Sequence, residues 1–114
     1  MSERQWKLFA EDIIQSIIKI QSYTKGMSEK DFIKDNKTSD AVIRNFEIIG
    51  EAANKIPSEI RKKHKEIPWR DIIDFRNRIS HEYFGVSMSV VWQIKEKELS
   101  SFLNSIKEVV KDRI

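Results

Sequence analysis

The sequence predicts an all-α domain: an up-down antiparallel bundle of four principal helices joined by short helical turns. Three observations predict it. Apolar residues recur at steps of three and four along four long stretches, the period of a helix with one buried face. Three glycines and two prolines in 114 residues leave little material for tight hairpins. The connections between the periodic stretches are short, which makes neighbouring helices antiparallel. Residues 1–114 read as a single domain, without internal repeat, low-complexity segment or linker.

Taken in order, the first helix is expected from about Glu3 to Lys25, stopping before Gly26. Trp6, Phe9, Ile13, Ile17 and Ile20 form its core stripe. Ser28 with Asp31 resembles a capping box opening a short turn that buries Phe32 and Ile33, and 35–37 breaks it. Thr38 or Ser39 is then expected to cap a second long helix to about Lys55. Its stripe is Val42, Phe46, Ile49, Ala53 and Ile56, and Gly50, Ala52 and Ala53 permit a close helix crossing. Pro57 and Ser58 restart the chain, and Glu59 to His64 reads as a short basic helix. Pro68 suits the start of a third long helix, Trp69 to Gly85. After Gly85, Ser87 or Ser89 is expected to cap a last helix reaching the C-terminus. Trp92, Leu99, Leu103, Ile106 and Val110 lie in phase along it. Val90, Val91 and Ile94 fall on other sides, so burial of that end on more than one face is expected.

Composition narrows the function classes. With no cysteine, disulfides and thiolate metal sites are excluded. No secretory signal is visible. The most apolar stretch, Ile13 to Ile20, is interrupted by Gln15, Ser16 and Lys19 and does not span a bilayer, so a cytoplasmic protein without membrane association is expected. A net charge of +3 leans toward an anionic partner without identifying nucleic acid.

The chemistry concentrates in the third long helix. At about 100° per residue, Trp69, Ile72, Ile73, Phe75, Ile79, Tyr83 and Phe84 fill one half of it, and Arg70, Asp71, Asp74, Arg78 and Glu82 the other. Arg76 and Ser80 break the rule, falling within the apolar half. A guanidinium cannot be neutralised, so its burial is costly without acceptors. Either it is ion-paired in the core, with Glu47, Glu51 or Asp12, or it faces a cleft that works on an anion. His81 sits at the border of the two halves. Five residues apart, Arg76 and His81 lie roughly 140° from each other on a regular helix. Distortion of the helix near Gly85 would bring them together; so would a second copy of the chain packing with this helix at a shared seam. Arg76, Ser80 and Tyr83 share a face, and Asn77, one turn before His81, is placed to orient the imidazole or touch a substrate.

That set suits metal-free phosphodiester cleavage. Histidine titrates near neutral pH, so it can take a proton from an RNA 2′-hydroxyl and return one to the leaving oxygen. Arginine can clamp the phosphate as charge builds on it. No Ser-His-Asp spacing, glycine-rich phosphate loop or paired-histidine metal signature supports another mechanism. The basic run at 61–65 either tracks a nucleic-acid backbone or is a solvated connector, and His64 stands outside the site.

The Arg76-x-x-x-x-His81-x-Tyr83 pattern resembles the HepT-like toxins of the HEPN superfamily, small all-α ribonucleases. The stretch from Arg44 to Ala53, the start Pro68–Trp69, and His81–Glu82–Tyr83–Phe84–Gly85 followed by Val91–Trp92 resemble that family in order and spacing, over essentially the whole chain. The resemblance implies a homodimer whose cleft joins both copies of the motif, with Arg76 and His81 as the catalytic pair acting on RNA rather than DNA. Asn77 matches the family's polar position, and Ser80 is a supporting candidate. It also implies a toxin–antitoxin pair in which a minimal nucleotidyltransferase adenylylates Tyr83. ATP and Mg²⁺ would belong to that partner, leaving this chain without a cofactor. Two other readings stand beside this one: a non-catalytic subunit of a nucleotidyltransferase that binds nucleotide or partner in the same cleft, and a structural dimerisation bundle with Arg76 ion-paired inside.

Overall fold

The computed structural model describes residues 1–82 and 85–112. Six helices follow in order: α1 (Glu3–Thr24), α2 (Glu29–Lys34), α3 (Asn36–Lys55), α4 (Ser58–Lys63), α5 (Trp69–His81) and α6 (Met88–Lys111). The four long ones are the four principal helices of the bundle, and no strand occurs among the described residues. α3 is the spine, packed against both α1 and α5, while α1 also packs on α6 and α2 bridges α3 to α6.

The α1 stripe works as expected: Trp6, Ile13, Ile17 and Ile20 are fully buried, with Phe9 packed at their edge. Burying each such side chain stabilises the fold by roughly 1.5–3 kcal/mol relative to exposure. Ser2 and Gln5 form a capping box at the start of α1, and Gly26, at φ +79°, turns the chain just after its end. Val42, Phe46, Ile49, Ala53 and Ile56 bury the facing side of α3.

Between α2 and α5 the structure differs from expectation in three places. α3 is capped by Asp35, not by Thr38 or Ser39. The Asp35 carboxylate accepts from the Thr38 backbone N–H at 3.0 Å and its hydroxyl at 2.8 Å. These two bonds, the backbone one foremost, hold the carboxyl below its ordinary value. Asp35 also closes α2, whose Ser28–Asp31 box forms as expected. Six residues present only one face to the bundle, so Phe32 packs on Trp92 (ring centroids 5.3 Å apart) while Ile33 stays exposed. At the far end, α5 stops at His81, four residues short of Gly85, where the Glu82 N–H bonds back to the Arg78 carbonyl at 2.8 Å. Ile79 is its last buried residue.

Ser87 caps α6. Val91 and Trp92 are buried there and Ile94 is half-buried, but Val90 is exposed, so burial on more than one face is only partial. The short basic helix covers 58–63, with His64 just beyond it. Its imidazole lies 3.0 Å from Asp112 and 3.5 Å from Glu66, tying the end of α6 to the α4–α5 connection. None of the helices is long and apolar enough to cross a membrane among the described residues.

Candidate active site

Gly50 decides where Arg76 sits. α5 crosses α3 so closely that a Cβ on Gly50 would collide with the Arg76 Cβ and lie 2.6 Å from its Cγ and 3.3 Å from the Ile72 carbonyl oxygen. The root of the arginine rests on the bare backbone of α3, and the rest of the side chain runs along the seam toward solvent. Its side chain is 33% exposed, neither sealed in the core nor free.

The head group is only lightly held. One terminal nitrogen donates to the Asn77 side-chain oxygen at 3.1 Å. The other reaches Glu51 at 3.5 Å, and Glu51 also faces Arg44 at 3.8 Å. Of the three carboxylates expected as partners, Glu51 is therefore the one in place. At 37% exposure its pairing with Arg76 contributes at most about 1 kcal/mol. The Arg76 Nε–H is shielded from solvent and meets no acceptor among the described residues. Such a donor is destabilising until an acceptor arrives. Arg76 borders a hollow of about 120 Å³ that Gly50, Glu51, Asn54, Lys55, Ile73 and Asn77 also line. Asn54 and Lys55 carried no signal in the sequence, since polar residues near the exposed end of a helix look like ordinary surface.

His81 is the last residue of α5 and is exposed. The helix is regular from Trp69 to His81, so the imidazole leaves it on a different side from the guanidinium. Distortion does not bring the two together before His81; within one copy the described residues keep them apart. Ser80, placed by its spacing in the apolar half, is exposed, although Ile79 beside it in the last turn of α5 is buried. Asn77 is exposed as well, and its side-chain oxygen is taken by Arg76 rather than by His81. Tyr83 and Phe84 lie outside the described residues.

The apolar half of α5 is itself only partly covered. Trp69 and Ile79 are buried, whereas Ile72, Ile73 and Phe75 are half-buried. Ile72 and Phe75 border a cavity of about 410 Å³, together with Phe46 from α3 and Leu99 and Phe102 from α6. The helix bearing the motif thus keeps apolar surface that its own chain does not bury.

Comparison with known proteins agrees with this picture. The profile of a family described as ribonuclease HepT-like matches residues 13–109. Relatives whose names carry an inferred ribonuclease activity match nearly end to end. Ribonuclease HepT of Thermococcus cleftensis is 38% identical, over 96% of this chain and 99% of its own. An RNase of Caldanaerobacter subterraneus is 37% identical over 90% and 91% of the two chains. One from Methanocaldococcus jannaschii is 36% identical over 98% and 97%. No solved structure matches the chain significantly.

Proposed function

The chain belongs to the HepT-like ribonuclease family, an endoribonuclease, and from that premise we propose that it is a metal-independent toxin that cuts RNA in a cleft shared by two copies. The observation that carries the reading is the Arg76 guanidinium. It is pinned at its root by Gly50, is a third exposed, and is held at its terminal nitrogens only by Asn77 and Glu51. An RNA phosphate supplies acceptors of the right charge and geometry, and an arginine fork grips phosphate better than a point charge does.

In the proposed reaction His81 takes the proton of the ribose 2′-hydroxyl as that oxygen attacks the phosphorus. The bond from phosphorus to the 5′-oxygen breaks, and a protonated imidazole returns a proton to the leaving oxygen. Arg76 stabilises the extra charge on the phosphoryl oxygens. Asn77 aims the guanidinium, and Ser80, exposed on the same helix, is a further contact. Because one copy holds Arg76 and His81 on different sides of α5, the working site takes one group from each copy.

Regulation completes the proposal. A minimal nucleotidyltransferase partner silences the toxin by adenylylating Tyr83, two residues past His81. The added phosphate places bulk and negative charge where the substrate phosphate sits. ATP and Mg²⁺ serve that partner.

The test is direct. His81→Ala is expected to keep its helical circular dichroism and melting temperature while losing RNA cleavage in EDTA and growth inhibition. An unimpaired His81→Ala enzyme would end the catalytic assignment, and nucleotide or partner binding without cleavage would favour a binding subunit. Tyr83→Phe is expected to block transfer of radiolabelled AMP by the partner; continued labelling of that variant would move the modification elsewhere.

A further inference from the structure

A second cleft, about 600 Å³, opens where α4 runs into α5. Its walls carry Arg61, Lys62, Lys65 and Arg70, with the carboxylates of Asp71 and Asp74 on the α5 side. Arg70 lies 3.7 Å from Asp74, but its side chain is 91% exposed, so that pairing leaves the cation available. Arg61, Lys62 and Lys65 make no ion pair among the described residues. The Arg61 Nε–H, like that of Arg76, is shielded and has no acceptor among those residues. Four cations against two carboxylates in a concave surface focus a positive potential.

The cleft adjoins the Arg76 hollow, with Asn54 and Ile73 in the wall of both. Together they make one groove along α5 from Trp69 to Asn77, about 12 Å of helix. We propose that this groove holds the phosphate backbone of the RNA strand on one side of the scissile bond, with Arg61, Lys62, Lys65 and Arg70 meeting the phosphates that flank the one gripped by Arg76. The inference rests on the ribonuclease reading of Arg76 and His81 and extends it to substrate binding. The recognition is of backbone, not of bases. Trp69, the aromatic ring in this wall, is 8% exposed and spends its indole N–H on the His64 carbonyl at 3.0 Å, so it offers no face for base stacking. The groove therefore adds affinity without sequence preference.

The test is the triple variant Lys62→Ala/Lys65→Ala/Arg70→Ala, whose three side chains are exposed and whose loss leaves the core intact. It is made in the His81→Ala protein so that substrate survives. Binding of fluorescent single-stranded RNA is titrated across salt concentrations. Removing three phosphate contacts is expected to flatten the plot of log affinity against log salt by about 2. At physiological salt the same loss weakens binding by about tenfold or more, equally for oligo-A and oligo-U. A control triple, Lys19→Ala/Lys30→Ala/Lys37→Ala, removes the same charge from other helices and is expected to leave the slope close to its starting value. Unchanged affinity and slope in the groove variant, or equal flattening in the control, overturns the proposal. If the wild-type chain binds RNA but cuts none, the Arg76–His81 mechanism fails, and the slope comparison, repeated in the wild-type background, still decides the groove.

Discussion

Gly50 and Arg76 show how one missing side chain can set up another. A methyl on Gly50 would strike the root of Arg76, atoms that cannot swing aside as a side-chain tip can, so α5 itself would have to shift. Overpacking of this kind costs about 1–3 kcal/mol. Better helix propensity for alanine returns about 1 kcal/mol. Gly50→Ala is therefore expected to lower the melting temperature and to reduce cleavage by more than the unfolded fraction accounts for. A melting temperature that rises, with full activity, would show that the contact is not tight. The arginine was legible in the sequence as a cation among apolar neighbours at helical spacing. Its surroundings were less so: Glu51 stood among three candidate acids, and Asn54 and Lys55 were invisible because exposed polar residues obey no pattern.

At the scale of elements, Asp35 joins two helices by ending α2 and capping α3. Its carboxyl is depressed in the fold by the Thr38 backbone and hydroxyl donors. A group held below its unfolded value stabilises the fold fully above that unfolded value and loses its contribution as the pH falls through the depressed folded one. Asp35→Ala is therefore expected to melt below wild type at neutral pH, with the gap narrowing as the pH falls below the ordinary aspartate value of 3.8. A gap independent of pH would mean that the charge plays no part in the cap. The sequence read Asp35–Lys37 as a break, since three polar residues after a short helix look like a loop. The double use of one residue appears only when both helices are in view. The end of α5 was misplaced because apolar residues continue to Phe84 in the sequence and carry the helical stripe past His81, where the helix stops. Where a stripe is buried along its whole length, as in α1 between α3 and α6, the periodicity matched the element almost to the residue.

For the molecule as a whole, the proposed chemistry depends on partnership. Incomplete burial of Ile72, Ile73 and Phe75, and the divergence of Arg76 from His81, both fit a proposed assembly of two chains. A mixing experiment tests it. Arg76→Ala and His81→Ala proteins, each inactive alone, are expected to regain part of the wild-type cleavage when unfolded together and refolded, because some mixed pairs hold one intact arginine opposite one intact histidine. A mixture as dead as its components, sedimenting as a monomer, would defeat the shared cleft. This level of organisation was legible in the sequence only as an angle, roughly 140° between two side chains; in the proposed assembly the rest would come from surface on the second copy.

The Gly50 crossing also bears on attempts to move the proposed chemistry elsewhere. A guanidinium whose starting point is fixed by a neighbouring backbone has its reach set by the geometry of two rods rather than by its own rotamers. Grafting the arginine and histidine onto an unrelated helical scaffold would carry over the letters without the notch, leaving the cation a different height above the surface. The portable unit is three residues on two helices, and the silent one is the glycine.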